Sequence, residues 1–235
     1  MSDQPGAERR NPPLSSPTYA VRAPLARWLE AQARELHAQL GPYRLLDVGC
    51  GEKPYLPFFE PYVSEYVGVD VVENPYAELK GPIEALPVED SSFDVVLCAQ
   101  VLEHCDDPAR AVSELRRVTR AGGRVLASTH GVMVYHPSPA DYWRWTHAGL
   151  ERLFRQNGDW SAVTVSPASG TTACLGMTIS LFIDLLAKRG HARRPAGFVV
   201  AGVNRAAAAI DGRVSALREL RPGALIANYH VAADA

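Results

Sequence analysis

The residues best equipped for chemistry crowd into one stretch, Thr129 to Thr146. It holds His130, His136, Asp141 and Arg144 together with Tyr135, Tyr142, Trp143 and Trp145. A histidine titrates near ~6.5, so it can take a proton from a reacting hydroxyl at neutral pH. His136 is the first candidate for that base and His130 the second, with Asp141 as the acid of the same loop. His104 lies upstream, in Gln100-Val101-Leu102-Glu103-His104, and is the third candidate as well as a substrate-side residue. Arg144 would steady an anionic or polyhydroxylated ligand, and Tyr135, Tyr142 and Trp143 would offer stacking surface. The plainer alternative for Asp141 and Arg144 is an ion pair that braces the loop.

A second constellation sits earlier. In Leu45-Leu46-Asp47-Val48-Gly49-Cys50-Gly51, two aliphatics run into an acid and then two glycines spaced by one residue. That order reads as a buried parallel strand ending in a tight turn, where glycine lets a ligand approach without meeting a Cβ. Asp70 closes the next such run, Tyr66-Val67-Gly68-Val69-Asp70. A carboxylate ~20 residues beyond a glycine turn can accept both hydroxyls of a ribose.

These groups need a frame, and the hydrophobic pattern supplies one. Pro24 to Leu40 has helical apolar spacing and stops at Gly41-Pro42. Strands are expected at 44–48, 65–70, 77–81, 93–99, 124–129, 161–166 and 224–232. Phe93–Ala99 is nearly unbroken in its apolar character, as befits the centre of a parallel sheet covered on both faces. Asp106-Asp107-Pro108 has the chemistry of a helix start, and Thr146 is the expected cap of a helix over 147–157.

The set Leu45–Gly51, Val67–Asp70, Glu84-Ala85-Leu86-Pro87, Ser92–Val96, Val101–His104, Leu115–Val118 and Gly122–Leu126 resembles the class I S-adenosylmethionine-dependent methyltransferases. The resemblance is to their small-molecule branch and covers about residues 40 to 130. It implies a doubly wound, Rossmann-like α/β fold with seven strands, mostly parallel, and an antiparallel last strand beside strand six. Residues 167–222 then form a helical insert in a domain spanning 21–235. The cofactor implied is S-adenosyl-L-methionine, leaving as S-adenosyl-L-homocysteine. By the same resemblance Asp47, Gly49, Cys50, Gly51, Asp70, Val71, Ile83, Glu84, Ala85, Leu86 and Gln100 are its expected contacts. Pro82 stands where the family usually has an adenine-binding aspartate, and proline offers neither carboxylate nor N–H there. The run from His136 to Thr146 is similar to a His-x-x-Pro-x-Asp-Tyr-x-Arg-x-Thr signature of bacterial small-molecule methyltransferases. Some quinone-pathway relatives hold a metal through Glu-x-x-Glu-His; here Gln100 replaces the first glutamate, so no metal is expected.

The implied activity is methyl transfer to a small-molecule acceptor, a hydroxyl of a sugar, glycan or other metabolite. The rival within enzymes is C- or N-methylation of a quinone-like or other metabolite. The rival outside enzymes is a cofactor-binding regulatory or assembly module without catalysis. A dinucleotide oxidoreductase is disfavoured because Pro54 stands where the third glycine of GxGxxG belongs.

Composition narrows the partners. With 26 acidic and 24 basic side chains over 235 residues, no global field draws nucleic acid. The cysteines at 50, 98, 105 and 174 have no metal-like or disulfide-like spacing, and a reducing cytoplasm is the expectation. Residues 1–20 are proline-rich and expected to be a disordered tail. Ala173–Ala187 is apolar but short for a membrane span, and with Lys188, Arg189, Arg193 and Arg194 beside it membrane-surface contact stays open, as does a homodimer.

Overall fold

The computed structural model describes residues 5–137, 140–190 and 193–235, and the side chains of Gly190, Arg193 and Arg194 lie outside that description. Its strands are β1 (Tyr43–Val48), β2 (Val63–Asp70), β3 (Leu79–Lys80), β4 (Phe93–Ala99), β5 (Thr119–His130), β6 (Ala162–Pro167) and β7 (Asn228–Asp234). They form one seven-stranded sheet in the order β3-β2-β1-β4-β5-β7-β6. The first five run parallel, while β7 lies antiparallel between β5 and β6. The helices are α1 (Ala7–Arg10), α2 (Tyr19–Leu40), α3 (Leu56–Phe59), α4 (Pro108–Val118), α5 (His147–Gln156), α6 (Thr171–Gly190) and α7 (Arg193–Arg213).

Burial explains why β4 is central. Val95, Val96, Leu97 and Cys98 are all fully buried, so both faces of the strand are covered. One face packs with α4 through Ala111, Val112, Leu115 and Val118; the other meets Leu25, Leu29, Ala33 and Leu36 of α2. Helix starts follow local chemistry. The Asp107 carboxylate accepts from the Arg110 N–H with Pro108 in the first turn, and the Thr146 hydroxyl accepts from the Gly149 N–H at 3.1 Å. All of the parallel strands deliver their C-terminal ends to one edge, where the residues of interest gather.

Several expectations are corrected. The disordered tail is packed from residue 5: Arg10 Nη1 donates to the carbonyls of Pro5 and Pro54, Pro12 is buried, and Asn204 Nδ2 holds the carbonyls of Leu14 and Ser16. Carbonyls of the segment are satisfied by Arg10 from within it and by Asn204 from the distant α7. Strand β3 shrinks to two residues because the Asn74–Ala77 turn occupies its expected start. Strand β5 starts earlier than expected, at Thr119, passing an irregularity that Gly122 relieves at φ 76°. Strand β7 starts at Asn228, four residues late, after an irregular 218–227.

The insert is a helical hairpin of α6 and α7. Helix α6 runs 20 residues, past the apolar stretch into Lys188 and Arg189. It is long and apolar enough to cross a membrane by length and composition, contrary to the expectation, although Cys174, Met177 and Ser180 are fully buried against the rest of the chain. Leu175, Ile179, Phe182 and Leu186 are exposed along its other side. Lys188 pairs with Asp184 at 2.7 Å; Arg193 and Arg194, the other half of the expected basic cluster, lie outside the described side chains.

Candidate active site

The glycine turn and the second acidic strand end meet. Gly51 donates its N–H to Asp70 Oδ2 at 3.1 Å, and Asn74 Nδ2 bridges the same oxygen (3.1 Å) and the Gly51 carbonyl (2.6 Å). Asn74 was legible only as a loop residue; its amide can serve both groups because it donates twice. Gly49 has φ 66°, and a Cβ there would lie 2.5 Å from Val101 Cγ2. Gly51 has φ 50°, but a Cβ there would point into open space. The first glycine is thus required by packing and the second opens onto the crevice. Val71 follows Asp70, exposed at the crevice edge.

Other expected cofactor residues turn inward. Asp47 is buried beneath the turn and accepts from the Tyr66 hydroxyl at 2.6 Å. Burial pushes its carboxyl up to about 7, with the Tyr66 hydrogen bond opposing that rise. Cys50 is buried and packs on Gly68, so its backbone is what it offers the crevice. Lys53, unremarked in the sequence, bonds both oxygens of Glu78 and pins β3's approach beneath the same turn. The Ile83 side chain is buried in the core, and the Glu84 carboxylate accepts from the N–H of Asp106 at 2.9 Å. Ala85 N–H donates to Pro82 O and Leu86 N–H to Glu114 Oε2. What this segment presents is a backbone edge rather than side chains. Gln100, at φ 61°, donates its amide to Ser128 Oγ (2.9 Å) and Asn228 Oδ1 (3.0 Å), so its nitrogen ties β5 to β7.

The histidines far apart in sequence converge beside this crevice. The ring of His136 lies 5.3 Å from the ring of His104 and 5.3 Å from that of His130, edge-on to both. His130 is carried by the end of β5, and His104 by the turn after β4. His104 Nδ1 lies 2.6 Å from the Ala140 carbonyl, which can only accept, so Nδ1 carries the hydrogen and Nε2 keeps its lone pair. Burial lowers both His104 and His130, the latter to about 3. Behind His130 sits Glu103, which is 0% exposed; its Oε1 is 3.3 Å from His130 Nε2 and its Oε2 accepts from Thr129 at 2.8 Å. Burial raises Glu103 to about 7. Its membership of the Glu-x-x-Glu-His run was legible, but its burial carries no local signal.

Asp141 and Arg144 form the brace. The Asp141 side chain is 1% exposed and takes both guanidinium nitrogens at 2.5 and 2.7 Å, plus the His136 N–H at 3.0 Å. Arg144 also donates to the carbonyls of Met133, Val134 and Trp143. Its guanidinium is therefore committed to the loop rather than extended to an acceptor, a correction of its expected role. The paired guanidinium holds Asp141 well below the usual carboxylate range. Trp143 stacks on Trp145 at 5.7 Å and donates its indole N–H to the Cys105 carbonyl; Tyr135 and Tyr142 are exposed at the rim.

Residues 46–127 match the Methyltransferase domain family. An uncharacterized methyltransferase, YcgJ, of Bacillus subtilis is 35% identical over 103 residues, covering 37% of this chain and 41% of that protein. The ubiquinone biosynthesis O-methyltransferase of Bordetella bronchiseptica is 30% identical over 128 residues, covering 48% and 52%. The chain thus spans about half or less of the length of these curated relatives. In fold it is similar to the Burkholderia thailandensis 1,6-didemethyltoxoflavin-N1-methyltransferase with bound S-adenosylhomocysteine, at TM-score 0.53 and 16% identity over 92% of this chain and 80% of that one. The family match ends before the histidine loop begins at Thr129. Over residues 46–127 the chain is thus similar to S-adenosylmethionine-dependent methyltransferase domains, in keeping with its glycine turn, its Asp70 carboxylate and its strand order.

Proposed function

We propose that this chain methylates a hydroxyl of a small-molecule acceptor, a sugar, glycan or other metabolite, held against the loop 129–146. The observation that carries the reading is the meeting of His104, His130 and His136 beside the crevice at the ends of β1, β4 and β5. S-adenosyl-L-methionine supplies an activated methyl group on a sulfonium. Asp70 and the glycine bend at 49–51 hold its adenosyl part, and the open space at Gly51 admits it. For the acceptor the chain's task is mostly placement, worth up to roughly 7–11 kcal/mol when two reactants are held in line. A hydroxyl must also lose a proton. His136 takes it, and Asp141, 3.8 Å from its Nε2, steadies the imidazolium that results. His130, lowered to about 3, stays neutral and shapes the pocket instead.

A second reading, methylation at nitrogen, is favoured by the shared fold of the Burkholderia N1-methyltransferase. An acceptor panel followed by S-adenosylhomocysteine release, run on the full chain and on His136→Gln, separates the two. Hydroxyl acceptors should turn over and the variant should lose that turnover. Turnover confined to nitrogen acceptors and indifferent to His136 would remove the proposal.

A further inference from the structure

We propose that His104, His136 and Asp141 form a binding site for one divalent first-row transition ion. The potential ligand atoms of these three side chains lie within 4.8 Å of one another. The sequence reading expected no metal, because Gln100 replaces a glutamate of the Glu-x-x-Glu-His run; residues 104, 136 and 141 are brought together only by the fold. The set uses neither Gln100 nor Glu103.

Three details of the geometry point to a cation rather than to a plain hydrogen-bonded cluster. First, His104 directs its Nδ1–H to a backbone carbonyl and leaves Nε2 as a lone-pair donor. That is the arrangement by which proteins fix the tautomer of a metal-ligating histidine. Second, His136 Nε2 is buried without a hydrogen-bond partner among the described residues. Its nearest acid oxygen, Asp141 Oδ1, is 3.8 Å away. This is too long for a direct hydrogen bond, yet two metal–ligand bonds of ~2.0–2.2 Å can bridge it. Third, the lone pairs of Asp141 can be counted. A carboxylate has about four acceptor sites. Arg144 takes one on each oxygen and the His136 N–H takes the second on Oδ2. The remaining site belongs to Oδ1, the oxygen that faces His136 Nε2. Arg144 then acts from outside the ligand set, orienting the carboxylate as such partners do.

Two imidazoles and one carboxylate suit zinc, cobalt, nickel or iron better than magnesium or calcium, which favour all-oxygen shells. Three protein ligands leave a coordination position open, the pattern of catalytic rather than structural sites. The inference rests on reading the loop as the acceptor site. In the loaded state that open position takes an oxygen or nitrogen of the acceptor, while in the ion-free chain His136 keeps its role as the base.

The test uses the full chain, freed of metal with a chelator, and titrated with Zn2+ by calorimetry and with Co2+ by visible absorption. One ion should bind per chain, with the intense visible bands of a low-symmetry cobalt site. His104→Gln and His136→Gln should each weaken binding by more than about tenfold. S-adenosylhomocysteine affinity, measured in parallel, should not change in either variant, which shows that they are folded. Absence of ion binding by the wild-type chain, or binding that neither variant alters, would overturn the site. Failure of S-adenosylhomocysteine to bind would instead count against the cofactor assignment and leave the ion result to stand by itself.

Discussion

The Glu103 carboxylate and the His130 imidazole face each other at 3.3 Å in the interior, poorly aligned for a hydrogen bond, with Oε1 of one and Nδ1 of the other left unpartnered. Each is disfavoured in its charged form by burial, which raises Glu103 to about 7 and lowers His130 to about 3. Their pH effects on stability therefore oppose one another. Between ~4.5 and ~7 the unfolded chain has released the glutamate proton that the fold retains, so this contribution falls as pH rises. Between ~3 and ~6.5 the unfolded chain takes up a histidine proton that the fold refuses, so that contribution falls as pH drops. Glu103→Gln should raise the melting temperature at mildly alkaline pH, by roughly 2–4 °C for each kcal/mol relieved. The gain should vanish below ~4.5. A melting difference independent of pH would contradict it.

Removing the ribose partner should be felt in binding, beyond whatever the turn loses when the Gly51 N–H and the Asn74 amide lose their acceptor. Asp70→Ala deletes a charge-assisted pair worth ~1.5–3 kcal/mol, or roughly a 10–150-fold loss of S-adenosylhomocysteine affinity by calorimetry. Unchanged affinity would sink the assignment of this carboxylate.

The two glycines should part company on mutation. Gly49→Ala meets Val101 Cγ2 at 2.5 Å and should unfold or strongly destabilise the chain. Gly51→Ala meets nothing within 4 Å, so its stability cost is limited to the strain of φ 50°, about 1 kcal/mol. Its effect should appear as lost cofactor binding. Equal melting losses in the two variants, with binding intact in the second, would show that position 51 does not border the ligand.

For the base, His136→Gln should lower turnover on a hydroxyl acceptor by ~10²–10⁴ with cofactor affinity unaltered. A matching loss of cofactor affinity would show that the ring supports the crevice rather than the chemistry.

The brace makes a stability prediction. Arg144→Ala strips two donors from a carboxylate that is 1% exposed, and loss of a buried partner typically costs about 3–5 kcal/mol. The lower end applies because the arginine is partly exposed. Adding Asp141→Asn should recover much of the loss in chemical denaturation. Since Asp141 is held below its ordinary range, its contribution is present above the unfolded value near ~3.9 and is lost as pH falls through the folded one. An additive double variant would argue that the pair is not a unit.

Much of the sheet was legible because its strands are written in continuous apolar runs and its turns in glycine and aspartate. Phe93–Ala99 matches its expectation to the residue, and both Asp107 and Thr146 cap the helices they announced. The site was legible in membership more than in direction. Types and spacing could bring His104, His130 and His136 onto a candidate roll, but whether Arg144 faces a ligand or its own loop depends on carbonyls 133, 134 and 143, which carry no sequence signal. The burial of Glu103 was missed for a related reason. Nothing near it in the chain marks it as buried; strand β5 and the loop 142–145 cover it from a distance. The packed tail was missed because composition reports what a segment can bury by itself, not the donors that Asn204 brings to it.

The Trp143 indole bond described above has companions that bear on how acceptor specificity would be changed. The Glu103 carbonyl receives the N–H groups of both Tyr142 and Trp143, the Trp143 indole reaches Cys105 O, and Trp145 N–H returns to His130 O. The histidine loop is thereby stitched to the turn after β4. Transplanting residues 131–146 into another scaffold would leave those stitches without their cloth, so specificity in this chain should be inherited, and engineered, as two segments exchanged together.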